Sequence, residues 1–305
     1  MATILAISSQ VASGHVGLSA IAPTLHAIGC DVIALPTVLL SNHPAHAAVA
    51  GTQTPPDVMI KMLDALSANG RLADVDCILT GYLPTAEHVT VANAAIAHVL
   101  RAQEQMVSSA PKASSPLSVV IDPVIGDWPK GRYIAEAAAV ALRDELMRPA
   151  LLNARLRVTT TPNVFELSWL TDHSIATPED CVEAAMALAP ARVLITSAPG
   201  PDTETIGVMA VETSNAAKPD ATGETRQHAH VARRERVPHG TGDVFSAIVA
   251  GSTGYSGKRD LSRTVAALDA LIAQSEGLPE LNLIAALPTL STALVGAKQA
   301  DQARP

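Results

Sequence analysis

Short apolar runs alternate with longer alanine-rich segments of helical period along most of this chain, and that alternation limits the fold more than any other feature. A strand that is apolar throughout must be covered on both faces, and helices lying between such strands provide the cover. The pattern therefore predicts a mainly parallel sheet between helices. Residues 3–9 (TILAISS) read as a first strand, 18–28 as a helix stopped at Gly29, and 31–38 (DVIALPTV) as a second strand. Pro55, Pro56 and Asp57 open a helix that runs to about Gly70, and 77–81 (CILTG) is a strand ending in glycine. The plan then repeats: helix 86–105, strand 118–122, helix 135–147, strand 157–160, helices 164–171 and 178–188, strand 193–196. Beyond it, strand-like 206–211 is followed by polar TSNAAKPDATGETRQ and by Arg233, Arg234 and Arg236. This predicts a β-hairpin carrying a mobile polar insertion near 212–235. Helical segments 244–251, 261–274 and 281–297 complete the chain before a frayed DQARP terminus.

The length of 305 residues could hold two domains, yet no shift of composition divides it. Chemically interesting residues recur at strand ends from Ser9 to Asp243, so one domain spanning 1–305 is expected. A composition 48% hydrophobic and 16% charged supports a large core and excludes a disordered chain. The 18 glycines show no period, which excludes collagen and solenoid folds. Cys30, Cys77 and Cys181 are odd in number and form no CxxC pair, as expected of reduced core filler in the cytosol. A net charge of −8, with only two Trp, three Tyr and two Phe, argues against nucleic acid and for a small-molecule partner. The N-terminal MATILAISSQ lacks the features of a signal peptide, and residues 21–40 are broken by Pro23, His26, Asp31 and Pro36. A cytoplasmic location without membrane association is therefore expected.

The sharpest chemical signal is GTGDVFSAI, residues 240–248, where two glycines and an acid precede a helical run. The first amides of a helix have no internal partner and carry the positive end of its dipole. Gly240, Thr241 and Gly242 could thus cradle a phosphate, with Asp243 taking the proton of a substrate hydroxyl. The plainer alternative is an N-capping aspartate on a glycine-shaped turn. DPVIGD, residues 122–127, follows a strand where ligands of open α/β sheets bind. Asp122 and Asp127 suit magnesium, or else simply make a solvated Asp-Pro turn. In TTTPNVFEL, residues 159–167, Thr161, Asn163 and Glu166 lie on a strand-to-helix connection. Asn163 and Glu166 have the spacing of a capping box, or serve a metal-phosphate site. SSQVASGHVGLS lacks the P-loop pattern, and the His43/His46 spacing is a weak signal for zinc. The arginines at 233, 234 and 236 fit a solvated face better than a phosphate clamp.

In series, SSQVASGHVG, TVLLSNHP, LTGYL, IDPVIGD, TPNVFE, VLITS and GTGDVFSA resemble the pyridoxal kinases of the ribokinase-like superfamily in order and spacing, over residues 1 to about 255. The resemblance implies a three-layer α/β/α fold with a central, mainly parallel sheet, a homodimer, and transfer of the ATP γ-phosphoryl group to the 5′-hydroxyl of pyridoxal, pyridoxine or pyridoxamine. It implies Asp243 as base, Gly240, Thr241 and Gly242 as anion hole, and Ser9 on the substrate ring. Asp122, Asp127, Thr161, Asn163, Glu166, Thr196 and Ser197 would hold ATP, magnesium and an activating potassium or sodium ion. Asp122, Asp127 and Glu166 are the expected metal ligands. Ser13 stands where the family often has an aromatic, and Pro44, Ala45 and His46 follow SNH where aromatics are common. His46 is thus an expected planar partner for the substrate ring. A hydroxymethylpyrimidine (phosphate) kinase, a catalytically inactive pyridoxal phosphate binder and, more remotely, a sugar kinase remain alternatives.

Overall fold

A computed structural model describes residues 1–107, 116–188, 192–212, 226–253 and 261–302. In chain order the elements are β1 (Ala2–Val11), α1 (Leu18–Ala27), β2 (Cys30–Leu40), β3 (Gly51–Gln53), α2 (Pro56–Ala68), β4 (Val75–Thr80), α3 (Ala86–Val107) and β5 (Leu117–Ile121). A small hairpin of β6 (Gly126–Asp127) and β7 (Gly131–Arg132) follows. Next come α4 (Glu136–Ala141), a π-helical turn at Leu142–Met147, α5 (Arg148–Leu152), β8 (Leu156–Thr160), α6 (Val164–Thr171) and α7 (Pro178–Ala187). The chain ends with β9 (Arg192–Pro199), β10 (Thr205–Glu212), β11 (Arg226–Ala232), α8 (Thr241–Thr253), α9 (Leu261–Gln274) and α10 (Leu283–Gln302).

Nine strands form one sheet in the order β11-β10-β9-β8-β5-β4-β1-β2-β3. The inner run from β9 to β2 is parallel, and antiparallel strands close each edge. The β5 run LSVVI is buried at every position, as a strand sandwiched between helices must be. Leu63, Val89, Val99, Leu142, Leu167 and Ala184 bury one face of the sheet. Leu18, Leu25, Phe245, Ile248, Leu271 and Leu290 bury the other. The result is the three-layer α/β/α architecture that the alternation predicts. All three cysteines are buried, and none of them forms a disulfide among the described residues. No helix among the described residues is long and apolar enough to cross a membrane.

Three local features go beyond the sequence reading. Strand β3 is three exposed residues with no apolar signal, specified only by antiparallel pairing of Val38 with Gln53. The helix expected over 135–147 widens into the π turn and runs on to Leu152. The change of register falls just before Pro149, which has no N–H to give to an α-helical ladder. The expected hairpin is present as β10 and β11, and β11 occupies 226–232 of the polar span. Residues 213–225, the rest of that insertion, lie outside the described residues.

The chain passes from β1 to β2 on one side and then returns to place β4, β5, β8 and β9 on the other. Crossovers therefore diverge between β1 and β4, and open α/β sheets bind ligands beyond the carboxyl ends of the strands at such a switch point.

Candidate active site

The parallel ladder continues past the strand ends and lines up the expected residues in one row. The Gly81 amide donates to Ile7 O (2.8 Å), Asp122 N to Thr80 O (2.9 Å), Thr161 N to Ile121 O (3.1 Å) and Thr196 N to Pro162 O (2.8 Å). Ser8 Oγ accepts from Tyr82 N at 3.1 Å, and a Cβ on Gly81 would stand 2.5 Å from that oxygen, so only glycine fits. From β1 to β9 there are four strand spacings, roughly 19 Å at ~4.8 Å each. Ser9 thus marks one end of the row, Asp122 its middle, and Thr196 and Ser197 its far end.

Helix α8 packs against β4 and β5, and its N-terminal turn meets the β1–α1 loop. Its first described backbone bond runs from Val244 N to Gly240 O (3.0 Å), which leaves the amides of Thr241, Gly242 and Asp243 at the helix tip. Gly240 has φ +97°, and a Cβ there would lie 2.1 Å from His15 O, so the glycine turn is seated directly on the β1–α1 loop. His15 is held in turn by its Nδ1, 3.0 Å from Leu281 O. Asp243 accepts a hydrogen bond from the backbone N–H of Gly17. Gly17 itself has φ +56° and leaves no room for a Cβ against Ser9. Asp243 and Ser9 therefore both lie against Gly17, in a corner built from segments far apart in sequence.

Asp243 is pushed up to about 6 by burial, which the Gly17 amide only partly offsets. Asp122 is pushed up to about 7, first by burial and then by the charge of Asp243, while Ser246 and Thr161 at its side pull the other way. Ser246 sits one turn after Asp243 on α8, so the helix brings both groups to Asp122. Low solvent access and like charge are the two conditions that turn carboxylates into useful bases.

Asn163 and Glu166 form the capping box that their spacing predicts. Asn163 Oδ1 accepts from Glu166 N (3.0 Å), and Glu166 Oε2 accepts from Asn163 N (2.9 Å). The same pair also grips the DPVIGD loop. Glu166 Oε1 accepts from Ile125 N (3.0 Å) and Gly126 N (3.4 Å), and Asn163 Nδ2 donates to Gly126 O (2.8 Å). Burial, and then the nearby Asp122, hold the Glu166 carboxyl well above the usual range, against the pull of these amides. Asp127 Oδ1, by contrast, is buried without a hydrogen-bond partner, and Thr161 Oγ1 has none but the Asp122 carboxyl beside it. At the far end Ser197 has φ +55°, an uncommon backbone conformation for serine and one that recurs where a ligand is held.

His46 lies on the exposed loop 41–50, with Nε2 3.0 Å from Glu280 Oε1. No three His, Cys, Asp or Glu side chains among the described residues converge on a single metal position. Arg233 and Arg234 are engaged in structure: Arg233 Nε donates to Thr203 O and Arg234 Nε to Asp269 Oδ1, each at 3.0 Å. Sequence reasoning missed Tyr82, Tyr133, Ser246 and His239. Tyr82 follows the strand-end Gly81, half-buried, and its carbonyl accepts from Thr37 Oγ1 at 2.8 Å. Tyr133 is tied to Asp127 by a hydrogen bond. The position of Tyr82 after a strand-terminal glycine was a readable signal. The other three have none, because their neighbours are set by tertiary packing.

A family model described as phosphomethylpyrimidine kinase matches residues 12–274 and sets the class as small-molecule kinases of this fold. A pyridoxine/pyridoxal/pyridoxamine kinase of Bordetella pertussis is 36% identical over 81% of this chain and 80% of its own length. A pyridoxal kinase of Leifsonia xyli is 33% identical over 92% of this chain and 93% of its own. The solved structure of Leishmania donovani pyridoxal kinase in complex with ADP and pyridoxamine superposes with TM-score 0.79 at 28% identity, covering 94% of this chain and 95% of that one. The chain belongs to the pyridoxal kinases of the ribokinase-like superfamily.

Proposed function

We propose that the protein transfers the terminal phosphoryl group of ATP to the 5′-hydroxyl of pyridoxal, and of its alcohol and amine forms, giving pyridoxal 5′-phosphate in vitamin B6 salvage. What carries this is Asp243: a carboxylate with a raised pKa, at the tip of a helix with free amides, facing the strand end that bears Ser9. The hydroxyl oxygen bonds to the γ-phosphorus as the bond to the bridging oxygen of ADP breaks, and the hydroxyl proton passes to Asp243. The amides of Thr241, Gly242 and Asp243 hold the charge on the moving group. Ser9 and Tyr82, on neighbouring strand ends, orient the ring.

Thr161, Asn163, Thr196 and Ser197 support the nucleotide at the β8–β9 end. The unpartnered Asp127 Oδ1, and Thr161 Oγ1 beside the carboxyl of Asp122, fit a magnesium ion that takes one or two protein oxygens and the rest from phosphate and water. When bound, magnesium neutralises charge on the transferring phosphates. Glu166, with both oxygens taken by backbone amides, acts in this reading by holding the 125–126 loop. A monovalent cation at the same end, a homodimer and a cytoplasmic location complete the proposal.

Product formation from pyridoxal and from hydroxymethylpyrimidine, each with magnesium-ATP, tests it. The description of the family model favours the pyrimidine as the second candidate. Preference for pyridoxal is expected. Preference for the pyrimidine overturns the substrate assignment, and ligand binding without turnover by the wild-type chain replaces the kinase with a binder.

A further inference from the structure

Loop 41–50, between β2 and β3, is mostly exposed yet strongly organised. Ser41 N donates to Ala50 O (2.7 Å), Ala50 N to Ser41 Oγ (3.0 Å), and Asn42 Nδ2 to Ala48 O (3.0 Å). It is joined to the β1–α1 loop through Ser13 N to Ser41 O at 3.0 Å. Two side-chain contacts then fasten its outer part. The His43 ring stacks on His239, the residue immediately before the glycine turn, with centroids 4.1 Å apart and planes 20° from parallel. His46 Nε2 meets Glu280 Oε1 at 3.0 Å, and Glu280 also fills the space beside Gly14.

The stack is built as an aromatic contact. Its ring nitrogens lie in nearly parallel planes, so their lone pairs cannot aim at a shared ion. Ala45 N donates to His43 Nδ1 at 3.1 Å, which makes that nitrogen an acceptor and leaves the proton on Nε2 of a neutral ring. Burial lowers both rings below the usual histidine value, and Lys130 facing them acts in the same direction. Two neutral rings stack without charge repulsion. The same loop has no Phe, Tyr or Trp between His43 and Gly51.

We propose that the His43–His239 stack and the His46–Glu280 pair fix loop 41–50 as the outer wall of the alcohol site, so that His239 and Glu280 are positioning residues that set affinity for the alcohol substrate without touching the reacting atoms. The idea rests on the alcohol lying over Asp243, as in the function proposed above. It assigns specificity in this chain to a wall fastened from outside, by residues that no motif marks.

The test measures initial rates of the full chain and of His239→Ala, His239→Phe and Glu280→Gln, varying pyridoxal at saturating magnesium-ATP and then the reverse. His239→Ala should raise the KM for pyridoxal roughly three- to tenfold, with kcat within about twofold and the KM for ATP unchanged, as expected for the loss of one aromatic pair. His239→Phe, which can still stack, should return it to within about twofold of wild type. Glu280→Gln should give a smaller rise in the same constant. An unchanged pyridoxal KM in His239→Ala overturns the proposal. So does a parallel rise in the KM for ATP, which would mean that the glycine turn itself had loosened, or a failure of Phe to rescue. Should His239→Ala not fold, the Phe and Gln variants decide by the same split. If wild type phosphorylates another alcohol instead, the reaction assignment fails, and the wall is judged by the KM for that alcohol.

Discussion

Asp122→Asn should make the protein more stable and less active, and the two effects have one cause. In the fold the Asp122 carboxyl stands at about 7 instead of 3.8, because it is buried and next to Asp243. At ~1.4 kcal/mol per tenfold change in affinity for the proton, keeping it ionised costs the fold about 4 kcal/mol. A carboxyl raised in the folded state is proton-favoured there. Its penalty is absent below about pH 4 and grows as pH rises through about 7. Asparagine keeps the shape and removes the charge, but its new N–H donors need partners, at a cost of about 1–3 kcal/mol. The net gain at pH 8 is therefore about 1–3 kcal/mol, or a Tm higher by roughly 2–6 °C in a chain this long. Thermal melts of wild type and variant at pH 8 and pH 5 measure it, and the gain should shrink towards zero at pH 5, where wild-type Asp122 is largely protonated. Turnover at pH 8 should fall at least a hundredfold, if Asp122 serves the metal-phosphate end of the site. A variant no more stable than wild type at pH 8, or a Tm difference that is the same at both pH values, refutes the reasoning.

Asp243→Asn should lower kcat by roughly 10²–10⁴-fold while the KM for ATP stays within about threefold, because the anion-holding groups of the turn are backbone amides. In wild type, kcat/KM for the alcohol should decline towards acid as the coupled Asp122–Asp243 pair takes up protons, with apparent values near 7 and 6; a profile level from pH 8 to pH 5 would dismiss both carboxylates from the reaction. Gly240→Ala combines a φ of +97° with a Cβ 2.1 Å from His15 O, and should both lower Tm measurably and abolish turnover. Asn163→Ala removes an N-cap worth about 1 kcal/mol and strips Gly126 O of its donor; a Tm lower by a few degrees is expected, and an unchanged Tm contradicts the bracing of the 122–127 loop.

Much of the architecture was legible because its causes are local. An apolar run such as LSVVI can only be a covered strand, a glycine at φ +80° after α1 stops a helix, and Asn163 with Glu166 writes a capping box in four residues. For the same reason Ser9, Asp122, Thr161 and Thr196 are legible in the sequence, each where an apolar run gives way to polar residues, although β1 runs on past Ser9 to Val11 and β9 past Thr196 to Pro199. Strand β3 escaped because it has no hydrophobic pattern and exists only through its pairing with β2. Residues 213–225 of the polar insertion lie outside what the structure describes.

What the sequence determined by itself was the alternation, and therefore the layers, together with the chemical inventory at the strand ends. Which of those groups meet was decided only by the tertiary structure. The charge state of a carboxyl depends on how much water and which neighbours surround it, and these come from segments over a hundred residues away: Asp243 acquires its partner from Gly17, and Asp122 its negative neighbour from α8. His43 and His239 likewise gain their meaning from stacking across the site. Local propensity cannot encode such proximity, because it arises when strands and helices pack and exclude water from the space between them.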